Sequence, residues 1–394
     1  MKNYIFFDDT LAQRAGGPST YLYNLRNGIN KIDKHKIEFI CKEEQENANK
    51  NEKFFNKIKS VLFKFPYLYE RLYIHKRNEE SALYNELKRI NNGDIVMFHM
   101  TLDYAKARKH LPDNCIKVLM SHSPEITSNQ IVNDLKVLTK SNNYKFKYLR
   151  NKYLNDFDLF SFKDADIIVF PSKEAMEPYY ETCEEFGDII KNKKIKFLPT
   201  GTEQLKVGID RDEFRKKYNI PHNAFVITFI GRHNLVKGYD NFVEICSKIL
   251  EMHDDVYIVT AGVGDIDSPK SDRWIDIGWT NDPGTIANAA DLFVLPNKRT
   301  YFDLVLIEMI SIGKTCLVSN TGGNKTMAKY SDGIILYNNI NEAVKKINEL
   351  YNKRELIEEY SKCNLSTYKE NFTPEIFTKN YINLMEEIRN EEKY

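Results

Sequence analysis

Residues 225–238 read FVITFIGRHNLVKG, and this stretch decides the fold. A run of six mostly β-branched and aromatic residues has the length of a strand, and a glycine turn follows it at Gly231. Similar short apolar runs alternate with segments of helical length along nearly the whole chain. This alternation predicts parallel α/β layers and disfavours an all-α or all-β protein.

Two series of predicted strands organise the chain, separated by a polar stretch over 201–223. The first series comprises 4–7, 37–41, 95–99, 116–120, 166–170 and 195–198, and the second comprises 225–230, 256–260, 274–277, 292–295, 316–319 and 334–336. We therefore predict two doubly wound, Rossmann-like domains over 1–205 and 206–372. Apolar residues at helical spacing in 373–394 predict a terminal amphipathic helix that packs back on the first domain.

Composition excludes several classes of protein. The 394 residues carry 57 Lys and Arg against 56 Asp and Glu, so the net charge of +1 gives no global attraction to nucleic acid. A hydrophobic fraction of 42% is that of a globular chain. No apolar run approaches the ~18 residues of a membrane span, and the N-terminus does not read as a signal peptide. The six cysteines are widely spaced, so we expect a cytoplasmic, reduced protein.

The turn after 225–230 carries the first candidate site. Gly231 is followed by Arg232 and Lys237, two cations five residues apart that flank a predicted helix start. Such a pair can clamp a diphosphate, with a bidentate fork from Arg232 and a point charge from Lys237. Taken alone, the same pattern also fits two solvated cations on a surface.

The loop after 292–295 carries the second candidate site. It leads into an apolar helix whose free amides near Asp303, Leu304 and Val305 would donate hydrogen bonds to a phosphate. Glu308 lies one turn further along and would accept hydrogen bonds from ribose hydroxyls. Alternatively, Glu308 is a buried acid paired with a core Lys or Arg.

Taken together, the motifs resemble those of the retaining GT-B glycosyltransferases of family four, the glycosyl transferases group 1. The resemblance is specific over 224–325, where five motifs follow the order of that family. They are Gly231-Arg232 with Lys237-Gly238, Ala261-Gly262-Val263-Gly264, Ile277-Gly278-Trp279, the helix containing Glu308 and closing in Gly313, and Thr321-Gly322-Gly323. It is weaker in the first domain, where it rests on Gly16-Gly17-Pro18-Ser19, His122, Pro171-Ser172 and Pro199-Thr200-Gly201.

The resemblance implies a nucleotide sugar bound by the second domain and an acceptor bound by the first, with chemistry in a cleft between them. Arg232 and Lys237 would stabilise the departing diphosphate, and His122 would lie near the reacting sugar. A histidine that merely ends a strand is the alternative for His122. The donor-binding residues that the resemblance implies are Gly16, Gly17, Gly231, Gly278, Trp279, Thr300, Asp303, Leu304, Val305 and Glu308.

The family explains retention without a protein nucleophile, because the leaving phosphate helps to deprotonate the incoming hydroxyl. We therefore expect no pair of catalytic carboxylates of the glycosidase kind. His and Asp are not grouped at the spacings of metal ligands, so we expect no metal and no cofactor besides the nucleotide sugar.

Two positions depart from the family pattern. A second Glu usually lies eight residues before Glu308, and here that position is Thr300; a usual glycine is replaced by Asp303. The donor sugar is then open among glucose, N-acetylglucosamine, a deoxy sugar and an unusual hexosamine. The alternatives to a transferase are a nucleotide-sugar 2-epimerase of the same fold and a catalytically silent partner of an active transferase.

The first of two basic stretches predicts a surface for a membrane. Residues 53–77 carry seven Lys or Arg against one acid, Glu70, interleaved with aromatic residues, and residues 136–152 carry six basic residues and no acid. Cations and interfacial aromatic side chains suit anionic lipid. We expect no nucleic-acid partner and a peripheral position at the inner face of the cell membrane, with a glycan or lipid-linked acceptor of surface polysaccharide synthesis. A core with a solvated face is the alternative for both stretches.

Overall fold

The computed structural model of the protein describes residues 2–12, 17–43, 65–77, 80–123, 125–141 and 143–391. The chain divides into two compact units. Unit 1 consists of Met1–Phe170, Pro178–Leu198 and Asn380–Tyr394, and unit 2 consists of Pro171–Glu177 and Pro199–Lys379. The domain limits drawn from the sequence at 205 and 372 remain predictions.

Unit 1 is built on a sheet of six parallel strands in the order β2-β1-β3-β4-β5-β6. The strands are β1 (Asn3–Thr10), β2 (Ile37–Lys42), β3 (Ile95–Phe98), β4 (Ile116–Met120), β5 (Ile167–Phe170) and β6 (Lys194–Phe197). Every residue of β3, β4 and β5 is buried. Apart from Lys117 in β4, these strands are continuous apolar runs, as expected where helices cover both faces of a parallel sheet.

The helices of the first half are α1 (Gly17–Ile32), α2 (Pro66–Arg77), α3 (Thr101–Ala107), α4 (Thr127–Thr139), α5 (Lys147–Tyr153), α6 (Phe160–Asp164), α7 (Glu177–Thr182) and α8 (Phe186–Ile190). Short 3₁₀ segments lie at Ala82–Arg89, Arg108–His110 and Glu174–Met176, and a π turn at Leu154–Leu159 joins α5 to α6.

Unit 2 repeats the plan with six parallel strands in the order β12-β11-β10-β7-β8-β9. The strands are β7 (Phe225–Ile230), β8 (Val256–Ala261), β9 (Trp274–Asp276), β10 (Leu292–Leu295), β11 (Thr315–Ser319) and β12 (Ile334–Tyr337). Its helices are α9 (Arg211–Lys217), α10 (Tyr239–Met252), α11 (Pro283–Ala289), α12 (Leu304–Ser311), α13 (Gly322–Met327), α14 (Ile340–Asn352) and α15 (Arg354–Asn371).

Side chains of β7 alternate between the two faces of the second sheet. Phe225, Ile227 and Phe229 belong to the cluster under α10 and α14, whereas Val226 belongs to the cluster on the opposite face. The polar member of the strand, Thr228, is fully buried, and its hydroxyl donates to the carbonyl of Val259 at 2.8 Å. The hydroxyl is thereby satisfied inside an apolar layer.

The terminal helix, α16 (Pro374–Glu391), has the predicted apolar face. Phe377, Tyr381, Leu384, Met385 and Ile388 are all buried. Within unit 1, the hydroxyl of Tyr381 lies 2.9 Å from the sulfur of Met97 on β3. The amphipathic pattern in the sequence is therefore confirmed at each of its apolar positions.

The predicted α/β fold class is confirmed, with parallel sheets throughout and strand ends within one to three residues of those expected. Among the described residues, no helix combines the length and apolarity required to cross a bilayer.

Candidate active site

The sheet of unit 2 places the two candidate loops next to each other. β7 lies between β8 and β10. The connection after β7 leads to β8 on one side of it, whereas β10 lies on the other side. This is the topological switch point, and open α/β sheets bind ligands beyond the carboxyl ends of the strands at such a point. The loop after β7 contains Gly231, Arg232 and Lys237, and the loop after β10 contains Thr300 and Asp303.

The turn after β7 is fixed against the loop after β8. The amide of Gly231 donates to the carbonyl of Ala261 at 2.9 Å, and the amide of His233 donates to the carbonyl of Val263 at 3.1 Å. Gly262 has φ +137°, and a Cβ there would lie 1.8 Å from the carbonyl oxygen of Gly231. Only glycine fits so close an approach, which explains the glycines that the sequence places at both strand ends.

The same turn is also held from the side of β10. Gly238 has φ +67°, and a Cβ there would lie 1.8 Å from the carbonyl oxygen of Pro296. The ring of His233 stacks on that of Tyr239 with centroids 3.8 Å apart, and burial lowers the pKa of His233. His233 is therefore a neutral packing residue beneath the turn.

The two predicted cations have different surroundings. Arg232 is exposed, and within the described residues its guanidinium has no ion pair or hydrogen bond. The ammonium of Lys237 lies 2.6 Å from Oδ1 of Asp303, and the amide nitrogen of Asn297 donates to the other oxygen of that carboxylate. The side chains of Lys237 and Asp303 are 29% and 17% exposed. Arg232 is thus available to bind an anion, whereas Lys237 is already neutralised by Asp303.

The start of α12 leaves backbone donors open. Asp303 precedes the helix, but its side chain makes no capping bond. The amides of Leu304 and Val305, both half-buried residues, have no hydrogen-bond acceptor in the described part of the chain. Free amides at a helix start favour an anion. Glu308 is half-buried one turn along the same helix, as the spacing indicates.

Three other residues predicted to bind the nucleotide sugar lie in neighbouring loops and differ in their exposure. Gly278 has φ +70°, and its carbonyl accepts from the amide of Gly262 at 2.8 Å. Trp279 is 74% exposed, so its indole is available for contact with a flat ligand. Thr300 is only 2% exposed, and a Cβ on Gly322 would lie 2.0 Å from its carbonyl oxygen. Thr300 is therefore beneath the surface of the loop.

In unit 1, His122 follows β4 and is one of two paired histidines. Its Nε2 lies 2.8 Å from Nδ1 of His99, the residue after β3. The ring of Tyr21 on α1 lies 4.5 Å from that of His122, between centroids. Burial lowers the pKa of His122 to about 3, and burial, followed by the neighbouring His122, lowers that of His99 well below its ordinary value. Both imidazoles are therefore neutral at pH 7.

The glycine turn after β1 is described only in part. Gly17 is the first residue of α1, and none of the described atoms lies within 4 Å of a Cβ built on it. Gly16 lies outside the described residues.

Sequence reasoning missed His99 and Asn297. His99 is the first residue after β3, and Asn297 is the second residue after β10. Both obey the rule that identified Arg232, namely that polar residues after the carboxyl ends of parallel strands gather at one sheet edge. Applying that rule to every strand end would have found them.

The family model named Glycosyl transferases group 1 matches residues 210–367. This stretch of unit 2 is a glycosyl transferases group 1 domain. A curated relative is the UDP-Gal:alpha-D-GlcNAc-diphosphoundecaprenol alpha-1,3-galactosyltransferase of Escherichia coli, 30% identical over 160 residues, or 36% of this chain and 41% of that enzyme. The chain spans about half or less of the length of the curated relatives that it matches.

Solved structures share the fold over nearly the whole chain. A sucrose-phosphate synthase from Thermosynechococcus elongatus has a TM-score of 0.64 and 14% identity, covering 98% of this chain and 99% of its own. HepE of Anabaena, solved in complex with UDP and glucose, has a TM-score of 0.58 and 11% identity, covering 98% and 99%. At these identities the likeness shows the fold alone, which is the GT-B fold around the group 1 domain.

Proposed function

We propose that the protein is a retaining glycosyltransferase that moves a hexosyl or deoxyhexosyl group from a nucleoside diphosphate to a glycan or a lipid-linked saccharide. The observation that carries the proposal is the joint position of Arg232, Lys237 and the open amides of α12 at the switch point of the second sheet. These groups supply positive charge and donors where a departing diphosphate gains negative charge. The group 1 domain over 210–367 supports the same reaction class.

The remaining donor contacts are proposed from the resemblance of the sequence motifs. Glu308 would accept from ribose hydroxyls, and the segment with Gly278 and Trp279 would border the base. Gly231 allows the turn to approach the phosphates closely, and His122 of unit 1 remains a predicted catalytic residue. We propose that transfer needs no metal; in the described residues no three His, Cys, Asp or Glu side chains form a group that could hold an ion.

Transfer itself is the test of this proposal. The names of the E. coli relative and of the HepE complex mention UDP, so UDP-sugars are the first donors to supply, with a GlcNAc-diphospholipid as the first acceptor. We expect the acceptor to gain the mass of one sugar. Glu308→Ala and Lys237→Ala should each lower turnover by ~100-fold or more. Glu244→Ala, which removes a surface acid paired with Lys248, is the matched control and should leave turnover unchanged.

Three results would contradict parts of the proposal. Retained turnover in both Glu308→Ala and Lys237→Ala would remove the site assignment. A donor converted to an isomer of equal mass, with no acceptor product, would indicate the 2-epimerase. An inverted anomeric centre in the product, read by nuclear magnetic resonance, would exclude retention.

The pairing of Lys237 with Asp303 favours a second candidate, a catalytically silent transferase-like chain. A clamp with one cation already neutralised binds a diphosphate more weakly. In that case the purified protein would turn over no donor and would form a tight complex with an active transferase. Measurable turnover by the protein alone would exclude this candidate.

We also propose that unit 1 binds an anionic membrane surface. Residues 53–64 of the first basic stretch lie outside the described residues, but α2 from that stretch and α5 from the second are in contact. The guanidinium of Arg71 lies over the rings of Tyr148 and Tyr67, at 4.4 and 5.5 Å. The single acid, Glu70, is buried and accepts from the hydroxyl of Tyr144 at 2.5 Å. Among the described side chains of α2 and α5, the exposed charges are therefore cationic.

Large apolar side chains are exposed on α2, α4 and α5 and at the residue before α2, about half of each being accessible: Phe65, Tyr67, Leu68, Leu72, Val137, Leu138 and Tyr148. Interfacial aromatic rings beside lysines are typical of proteins that lie on a lipid surface. Such an attachment would fit a lipid-linked acceptor and a peripheral position at the cytoplasmic membrane.

Flotation with liposomes tests this attachment. The protein should float with anionic vesicles and not with neutral ones, and the pair Lys145→Glu and Lys147→Glu should abolish flotation. Lys191→Glu changes the charge of a lysine that is 74% exposed elsewhere in unit 1 and should have no effect. Equal recovery with neutral vesicles, or unaltered flotation of the double variant, would contradict the proposal.

A further inference from the structure

The ion pair between Lys237 and Asp303 occupies the site proposed for the diphosphate. Both oxygens of the carboxylate are engaged, one by the ammonium of Lys237 at 2.6 Å and the other by the amide of Asn297. Asn297 is itself 2% exposed. The carboxylate is therefore held in a defined position by a rigid partner and is not a mobile surface charge.

The orientation of Asp303 is unusual for its place in the chain. An aspartate immediately before a helix commonly accepts hydrogen bonds from the second or third amide of that helix. Asp303 does not do so, and its carboxylate turns to Lys237 while the amides of Leu304 and Val305 stay open. The negative charge thus neutralises the lysine and leaves the backbone donors for another anion.

We propose that Asp303 is a built-in counter-ion of Lys237 that weakens binding of the nucleoside diphosphate product more than binding of the sugar donor. The inference rests on the proposed function. During transfer, the bond between the anomeric carbon and the diphosphate oxygen breaks, and its electron pair remains on that oxygen. The acceptor oxygen forms the new bond to carbon, and its proton passes to the leaving diphosphate oxygen, which releases it to water because the second pKa of a terminal phosphate is about 6. The free, ionised diphosphate therefore carries one more negative charge than the donor did.

Repulsion by Asp303 grows with the charge of the ligand, because Coulomb energy is proportional to the product of the charges. Asp303 also re-forms its pair with Lys237 once either ligand leaves, which weakens the binding of both. The repulsion alone discriminates between them, and it favours release of the product over loss of the donor. Release of product limits the rate of many enzymes, so a carboxylate at this point would keep turnover fast.

Calorimetric titration with UDP and with UDP-galactose tests the inference. Asp303→Asn removes the charge while keeping a side chain of similar shape, and Asp303→Gly removes the whole side chain. We expect UDP to bind both variants about tenfold more tightly than the native protein, and UDP-galactose only about threefold more tightly. Product inhibition by UDP should strengthen by a similar factor.

Asp255→Asn is the matched control. Asp255 pairs with Arg354 at 3.3 Å, and it precedes β8, at the opposite edge of the same sheet. The change of net charge is identical, so neither ligand should bind differently. A general effect of charge would appear in this variant as well and would overturn the inference.

Further outcomes separate the inference from the proposed function. If UDP binds and sugar is transferred, but the Asp303 variants bind UDP no more tightly or tighten both ligands equally, the inference alone is wrong. If neither UDP nor GDP binds the native protein or the Asp303 variants and no sugar is transferred, the proposed function is wrong, and the inference falls with it.

Discussion

The carboxyl edges of the two sheets carry side-chain pairs of opposite electrical character. In unit 1, His99 and His122 meet at 2.8 Å as two neutral rings. In unit 2, Lys237 and Asp303 meet at 2.6 Å as two ions, each partly exposed. Burial without a counter-ion neutralises the first pair, whereas opposite charge and solvent preserve the second. Two parallel six-stranded sheets of different strand order therefore carry a neutral hydrogen-bonding edge in one unit and an ionic edge in the other.

The backbone differs as well. The turns after β7 and β8 are in close contact at Gly231 and Gly262, whereas a Cβ on Gly17 at the start of α1 would have no neighbour within 4 Å among the residues that the structure describes. The ionic edge is thus set in a tightly packed backbone, as preorganised electrostatic sites require. The free energies of unfolding of variants at Gly262, His99 and Arg232 test this contrast.

The largest effect is expected for Gly262→Ala. The new Cβ would clash with the carbonyl oxygen of Gly231, and the φ of +137° at residue 262 is unfavourable for alanine. We expect the free energy of unfolding to fall by ~3 kcal/mol, measured by urea denaturation. The control Gly17→Ala should change it little or raise it by up to ~1 kcal/mol. Similar losses in both variants would contradict the contrast in backbone packing.

A smaller effect is expected for His99→Ala. His99 is fully buried, so its removal leaves a cavity and should cost ~2 kcal/mol. The loss should depend on pH. In the unfolded chain the histidines take up protons near pH 6.5, whereas the folded pKa of His122 is about 3. Acid therefore favours the unfolded state, and the contribution of the pair, full above pH 6.5, is lost as the pH falls toward 3.

Titration of His122 by nuclear magnetic resonance supplies the matching measurement. Opening the site to water in His99→Ala should raise the pKa of His122 toward its ordinary value, because burial is the cause of the lowering. His99→Asn keeps a polar side chain and should raise it less. An unchanged pKa of His122 in His99→Ala would show that His99 does not help to exclude water.

The smallest effect on stability is expected for Arg232→Ala. Its side chain is exposed and has no ion pair within the described residues, so the free energy of unfolding should change by less than ~0.5 kcal/mol. Binding of UDP should nevertheless weaken by about tenfold, since one of two cations is lost. A substantial loss of stability with unchanged nucleotide binding would assign Arg232 to the fold and not to the ligand.

Most of the fold was accessible from the sequence. The strand at 225–230 was predicted with its observed limits because its residues are uniformly β-branched or aromatic and a glycine ends it. The apolar face of α16 was predicted because helical periodicity is a local property. Arg232 was predicted because it closely follows a strand, and His122 because of the family resemblance.

The pairings within the site were not accessible. Asp303 lies 66 residues from Lys237, and His99 lies 23 residues from His122. No local pattern relates such residues, because only the order of strands in a sheet decides which loops become neighbours. The resemblance identified Asp303 as a departure, but it did not show which cation the carboxylate meets.

The sequence by itself therefore determined the secondary structure, the alternation of layers and the chemical types gathered after the strands, because these depend on local propensity and spacing. The tertiary structure alone decided which charges are neutralised, which imidazoles are uncharged and which side chains, like Thr300, lie beneath the surface. Protonation and ion pairing depend on distance and solvent access, and both are fixed only when strands remote in sequence lie side by side.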